Sequence, residues 1–331
     1  MPVDLSNTLV VGLSATALFD LSQEDELFQK QFKEDRENAM AVYRRTMLEK
    51  ENDELDPGTG YPLVEALLKL NGYQKGDEPP LVEVVIMSRN SPETGLRVLN
   101  NIRRRGLGIS RFAFTGGEAV IDYLEAFDVD LFLSTSIADV QKVIDSRSCA
   151  AAVLNAPPVS LTDMPTDQVR IAFDGDAVLF SDDSELVYRT KGLAEFQSVE
   201  DAEQDRPLEE GPYASLLKKL SKLQERLPGR VEFSPVRIAI VTSRNSPAEL
   251  RVIKTLRRWG VYVDEAFFLG GVTKTEVLKA FKPHLFFDDQ DVHLDPASKV
   301  VPAGKVPYHS SSRLHKGTED PEKLVGRVSA A

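Results

Sequence analysis

The chain repeats itself, and no other feature constrains its fold so tightly. Val84-Val85-Ile86-Met87-Ser88-Arg89-Asn90-Ser91-Pro92 and Ala239-Ile240-Val241-Thr242-Ser243-Arg244-Asn245-Ser246-Pro247 are nearly one string. In both, an apolar run enters a short polar loop and then a helix. Ser246 fits an N-cap, Pro247 the first helical position and Glu249 a capping box. Leu250, Ile253 and Leu256 recur at helical spacing before Gly260, as Leu96, Leu99 and Ile102 do before Gly106. Phe112-Ala113-Phe114-Thr115-Gly116-Gly117 then matches Ala266-Phe267-Phe268-Leu269-Gly270-Gly271, and Leu131-Phe132-Leu133-Ser134-Thr135 matches Leu285-Phe286-Phe287-Asp288-Asp289. A strand opens each copy, Leu9 to Leu13 before Ser14 and Val169 to Phe173 before Asp174. Sliding Phe19-Asp20 onto Phe173-Asp174 would leave the first of these unmatched. Short apolar strands alternating with helices imply a parallel sheet covered on both faces. The expected fold is a three-layer, Rossmann-like α/β sheet in two related halves, 1–155 and 165–331.

Each half carries a long insertion after its opening strand. The first holds charged, helix-prone sequence from Gln23 to Glu54, a turn at Pro57-Gly58 and an apolar helix from Leu63 to Leu70. The second, from about Ser184 to Arg230, is expected to form a mainly helical cap. Within it Leu216, Leu217, Leu220 and Leu223 mark one face of an amphipathic helix, and Ser198 to Glu210 reads as exposed and acidic. Gly304 to Ala331 reads as a polar tail.

Acids stand in the second copy where the first has hydroxyls. Asp174-Gly175-Asp176 follows a buried strand, Thr242 the next, Lys274 opens a helix after Gly270-Gly271, and Asp288-Asp289 ends another strand. In a parallel sheet these strand ends share one edge, where ligands bind. Such a set suits phosphoryl transfer. A carboxylate attacks phosphorus, and a second acid two residues on protonates the leaving oxygen and then activates water. Bound Mg²⁺ offsets the repulsion between carboxylates and a phosphate dianion.

The motifs Asp174-Gly175-Asp176-Ala177-Val178-Leu179, Thr242, Lys274 and Asp288-Asp289, in that order, resemble the haloacid dehalogenase superfamily of phosphatases. A narrower resemblance, to the cytosolic type I 5′-nucleotidases, covers nearly the whole chain. It rests on the strings from Val169 to Asp182 and from Phe286 to Gln290, on Ala17-Leu18-Phe19-Asp20-Leu21 and on Phe114-Thr115-Gly116-Gly117. The resemblance implies Mg²⁺-dependent hydrolysis of nucleoside 5′-monophosphates such as AMP. It further implies Asp174 as nucleophile and metal ligand, and Asp176 as acid/base whose carbonyl reaches the metal. Thr242 and Lys274, with Ser243 and the backbone of Gly175, would hold phosphate. Asp288 and Asp289 would complete the metal site.

Plainer readings stand beside these. An isolated Asp-x-Asp is commonly a turn or cap, and an isolated lysine is commonly solvated; only the four motifs together favour catalysis. Asp182, Asp183 and Glu185 read as a solvated acidic face, His284 as structural, and His293 and His309 as residues that could approach the site without forming a metal pair. Cys149, the single cysteine, reads as a core thiol. In the first copy, Asp174 and Asp176 become Ser14 and Thr16, Thr242 becomes Met87, Lys274 becomes Val120 and Asp288-Asp289 becomes Ser134-Thr135. That half should neither bind Mg²⁺ nor hydrolyse phosphate. Ser88, Arg89, Asn90, Thr115, Gly116 and Gly117, with Arg244 and Asn245 of the second copy, are candidates for substrate or effector contact, the first copy completing the nucleotide pocket, holding a regulatory nucleotide, or serving only as scaffold.

The formal net charge of -12 argues against nucleic acid or an anionic membrane as partner. No apolar run approaches membrane length, and Met1 to Leu5 lacks a secretion signal, so the expected location is the cytoplasm. The expected partner is a small nucleoside monophosphate, with self-association left open. The competing functions are a phosphatase of another small ester, such as a sugar phosphate, and a non-catalytic nucleotide sensor.

Overall fold

The computed structural model of the chain describes residues 4–158, 164–228 and 234–315. Its strands are β1 (Leu9–Leu13), β2 (Val82–Ser88), β3 (Arg111–Phe114), β4 (Leu131–Ser134), β5 (Ala150–Leu154), β6 (Val169–Phe173), β7 (Val236–Thr242), β8 (Glu265–Phe268), β9 (Leu285–Asp288) and β10 (Ala303–Lys305). All join one sheet in the order β3-β2-β1-β4-β5-β10-β9-β6-β7-β8. Within each half every pairing is parallel, whereas β5 meets β10 antiparallel, with Val153 opposite Lys305 and Leu154 opposite Gly304. The strands of the two halves therefore run in opposite directions, and their carboxyl ends lie at opposite edges of the sheet.

The first half adds α1 (Ala15–Leu18), α2 (Ser22–Glu34), α3 (Arg36–Glu49), α4 (Tyr61–Lys69), α5 (Leu96–Arg104) and α6 (Ile137–Ser146). The second adds α7 (Asp183–Lys191), α8 (Leu193–Ala202), α9 (Ala214–Arg226), α10 (Glu249–Trp259), α11 (Lys274–Phe281) and α12 (Asp291–Ala297). Strand side chains alternate between faces. Ile171, Phe173, Ile238, Ile240, Leu285 and Phe287 pack in one cluster with Leu216, Leu217 and Leu220 of α9. Ala172, Ala239, Val241 and Phe286 form another with Leu278, Phe281 and Leu294 of α11 and α12. This gives the three layers. Tyr213 seals the first cluster, its ring 4.9 Å from that of Phe287. Within the segment expected to form the cap, α9 packs on the sheet; Arg230, where the cap was expected to end, lies outside the described residues.

Several details depart from the sequence reading. The helix after the second loop starts at Glu249, with Ala248 and not Ser246 at its N-cap. Leu250 and Ile253 are exposed, and the buried face is Val252 and Leu256 with Arg251 and Thr255. The expected tail is part of the fold: β10 lies inside the sheet, and Val306, Tyr308 and Leu314 are buried.

The nearly identical loops are also one step out of register. Ser14 N–H donates to Leu133 O at 2.9 Å as Asp174 N–H does to Phe287 O at 2.8 Å, which supports that pairing. However, Leu13 pairs with Ile86 and Phe173 with Ile240, so Ser88, and not Met87, stands where Thr242 stands. Likewise Asn90, whose N–H reaches Ser88 Oγ, corresponds to Arg244, whose N–H reaches Thr242 Oγ1. Strand register, fixed by inter-strand hydrogen bonds and by alternation of faces, decides which side chain points where, even when the loop strings match.

Candidate active site

The carboxyl ends of β6, β7 and β9 bring the acids together. Asp174 is the first residue past β6, Asp288 the last of β9, and Asp289 the next. One carboxylate oxygen from each lies within 4.8 Å of the others, and all three residues are buried. Lys274, first residue of α11, donates to Asp288 Oδ2 at 2.7 Å and stands as an ion pair 2.7 Å from Asp174 Oδ1. Gly175 passes so close to β7 that a Cβ there would meet Thr242 Oγ1 at 3.2 Å. After it the backbone turns sharply, with Ala177 at φ 60°. That left-handed position is costly for a residue with a Cβ.

Charge is crowded here. Burial pushes Asp174 up to about 6 against the pull of Lys274, with Asp288 adding to the rise. Burial also raises Asp288. It drives Asp289 well above the carboxylate range, helped by Glu185 and Asp288. Burial works against the charge of Lys274, yet Asp174 and Asp288 hold its affinity for the proton above the ordinary lysine value. Asp289 Oδ1 is buried without a hydrogen-bond partner. Buried polar atoms are normally paired, so this oxygen and its two carboxylate neighbours fit a cation. An all-oxygen set suits a hard ion.

The carboxylate of Asp176 points elsewhere. It accepts from Arg244 Nε at 2.8 Å and Nη2 at 2.6 Å, while Arg244 Nη1 donates to Glu200 of α8 at 2.5 Å. Arg251 of α10 reaches the other Glu200 oxygen at 3.0 Å. Arg244 is thus an internal clamp between the strand end and α8, and not an exposed ligand contact. Ser243 Oγ lies 3.5 Å from His293 Nε2, and burial beside Lys274 pushes that histidine down to about 4. Asn245 packs under Gly270.

Ser88, Arg89, Asn90, Thr115, Gly116 and Gly117 lie at the other edge of the sheet, by the ends of β2 and β3. They do not complete the acidic pocket, because the antiparallel seam turns the first half around. Arg89 Nε donates to Asp139 Oδ2 at 3.0 Å, and Thr115 Oγ1 donates to Glu118 O at 2.7 Å.

Tyr308 carries no signal in the sequence, and Glu185 departs from the reading given it there. Tyr308, past β10, donates its hydroxyl to Asp289 and lies 3.1 Å from Glu185 Oε2. Glu185 is buried, not solvated; burial pushes it up to about 7 against Arg189. The segment carrying Tyr308 is fastened to α6, where Gln141 donates to Tyr308 O at 3.0 Å and Asp145 accepts from Ser310 N–H at 2.8 Å. His309 points away from the site, at Asp145 O. His284 is structural: its Nδ1 accepts from Arg170 N–H at 3.0 Å. Burial pushes the Cys149 thiol up to about 12, as suits a core cysteine.

A sequence model of the family described as 5′-nucleotidase matches residues 1–313. Human cytosolic 5′-nucleotidase 1B is 34% identical over 306 residues, covering 90% of this chain and 48% of that protein. The chain therefore spans about half the length of that curated relative. Among solved structures, a Pnkp1/Rnl/Hen1 complex aligns over 92% of this chain and 97% of its own, at 12% identity and a TM-score of 0.32. No helix among the described residues is long and apolar enough to cross a membrane.

Proposed function

The chain belongs to the 5′-nucleotidase family, and on that premise we propose that it hydrolyses nucleoside 5′-monophosphates in the cytosol with Mg²⁺ as cofactor. The observation that carries this reading is the convergence of Asp174, Asp288 and Asp289 with Lys274 at one sheet edge, around a carboxylate oxygen that lacks a partner. Asp174, Asp288 and Asp289 would hold the ion, which when bound offsets their repulsion of the substrate's phosphate.

The chain's own groups do the rest. Asp174 attacks phosphorus, an Oδ–P bond forms and the P–O5′ bond breaks. Asp176 supplies the proton that the departing O5′ takes up. It then takes a proton from the water that attacks the aspartyl phosphate, which restores Asp174 and releases phosphate. Lys274 Nζ and Thr242 Oγ1 bind the non-reacting oxygens. Arg244, held by Glu200, fixes the position of the Asp176 side chain.

The test is phosphate release from a panel of nucleoside and sugar monophosphates, with Mg²⁺ and after exhaustive chelation. We expect Mg²⁺-dependent release with nucleoside monophosphates as the best substrates. A preference for sugar phosphates would move the reading to another phosphoester, and full activity in chelator would overturn the metal site.

A further inference from the structure

The first half has its own cavity, of about 1030 Å³, at the carboxyl ends of β1, β2 and β4 and beneath α2 and α3. It occupies the place in this half that the acids occupy in the other. Its floor is neutral: Ser14 stands for Asp174, and Ser134 and Thr135 for Asp288 and Asp289. These hydroxyls are already linked, Ser14 Oγ to Thr16 Oγ1 at 3.0 Å and Thr16 Oγ1 to Thr135 Oγ1 at 2.6 Å. Hydroxyls donate as readily as they accept, so an anion can approach them without the cation that carboxylates would demand.

The wall adds two guanidinium groups. Its charged members among the described residues are Arg44, Arg89 and Asp139; Arg44 pairs with Glu93 just outside the lining at 2.6 Å and Arg89 with Asp139, so each arginine has one carboxylate partner and guanidinium N–H groups to spare. Arg89 spends Nε and Nη2 on the buried Asp139, an arrangement that fixes the guanidinium and, among the described residues, leaves Nη1 for a ligand. Phe28 and Tyr43, edge to face at 5.3 Å, line another wall and give a planar ring an apolar surface. The volume lies just above the range of about 300–1000 Å³ for small-molecule sites, large enough for a nucleotide.

We propose that this cavity is a second, non-hydrolytic site that binds a phosphate-bearing ring compound of nucleotide size without a divalent metal. Phosphate is held by the hydroxyls of Thr16, Ser134 and Thr135 and by Arg89, and the ring rests on Phe28 and Tyr43. With no carboxylate at the Asp174 position and no acid or histidine beside the Ser14, Thr16 and Thr135 hydroxyls in the described lining, this half has no activated nucleophile and leaves its ligand intact.

The experiment measures binding, not turnover. Binding of AMP and of adenosine to the full chain is followed by calorimetry in excess chelator, for the wild type, Asp174→Asn and Thr135→Glu. Thr135 is exposed at the cavity floor, so Thr135→Glu restores an acid there without disturbing the core. Arg89→Gln, checked by its melting temperature because Asp139 loses its partner, is the second variant. We expect AMP to bind in chelator at least tenfold more tightly than adenosine and Asp174→Asn to keep that affinity. Thr135→Glu and Arg89→Gln should each lose about tenfold or more, the worth of one charge-assisted hydrogen bond. Absence of AMP binding in chelator, equal binding of adenosine, or unchanged affinity in Thr135→Glu would overturn the proposal.

Discussion

Replacing Arg244 with glutamine strips two carboxylates of one partner. The guanidinium is 1% exposed and makes three hydrogen bonds to carboxylates, two on Asp176 and one on Glu200. The two acids respond differently. Asp176 is 16% exposed, so water can replace part of what it loses. Glu200 is 1% exposed, but it keeps Arg251 Nη1 at 3.0 Å and Ser184 Oγ at 2.9 Å. Breaking a buried ion pair costs about 3–5 kcal/mol when the survivor is left unpaired. Since neither survivor is fully stranded, the expected loss of stability is about 3 kcal/mol, the lower end of that range. Activity should fall independently, because Asp176 is no longer held in place, and a misplacement of about 1 Å can cost about 100-fold. Urea unfolding with linear extrapolation reads the first effect and phosphate release under saturating substrate reads the second. The matched control, Glu200→Gln, keeps Arg244 on Asp176 and should lose stability with a much smaller loss of turnover. A urea-derived loss below about 1 kcal/mol for Arg244→Gln, with turnover intact, would refute the clamp.

Asp174→Asn should abolish phosphate release while the fold persists, since Lys274 retains Asp288 at 2.7 Å; substantial release by the purified variant would sink the assignment of the nucleophile. Tyr308→Phe removes the hydroxyl from Asp289 and should raise the Mg²⁺ concentration for half-maximal activity by about tenfold, on a charged hydrogen bond of about 1.5–3 kcal/mol; an unchanged metal titration would contradict that role. His284 is buried as the neutral ring and pushed down to about 4 by burial. Its unfolded value is near 6.5, so its contribution is complete above that pH and lost as pH falls towards about 4, some ~3 kcal/mol in all. Urea midpoints of wild type and His284→Gln should converge in stability between pH 7 and pH 4.5, and a constant gap would argue against it.

The acids of the site were legible because each follows an apolar strand of a repeated unit, and a parallel sheet gathers such strand ends at one edge. The same rule applied across both halves misled, since nothing in the string reveals that β5 and β10 meet antiparallel. That single pairing moves Ser88, Arg89 and Asn90 to the far edge. The one-step slip at Ser88 has a similar origin: the shared Ser-Arg-Asn-Ser-Pro string attracts an alignment that inter-strand hydrogen bonds do not obey. Tyr308 was invisible because β10 is only Ala303–Lys305, too short for an alternating pattern to register, and the polar residues after it resemble a tail. Glu185 and Glu200 sit in acidic stretches whose other members are solvated. The signal that could have singled out Glu200 is Arg251, a charged residue on the helix face that also carries Val252 and Leu256.

The seam between the halves has one more consequence. Phe132 pairs with Ala151 and Phe286 with Ala303, so two residues further on Val153 and Lys305 hold the same place in their respective halves. They also face each other across the seam. A residue opposite its own counterpart marks a twofold axis, and the contact around it is isologous, the kind that two identical subunits make. The chain is therefore laid out as a C2 dimer within one polypeptide, and half of it cut free would expose β5 or β10 as a raw edge suited to pairing with its own kind. A true dimer must mutate both sites together. Joining the subunits lifts that constraint, which lets one edge keep three aspartates while the opposite edge trades them for hydroxyls.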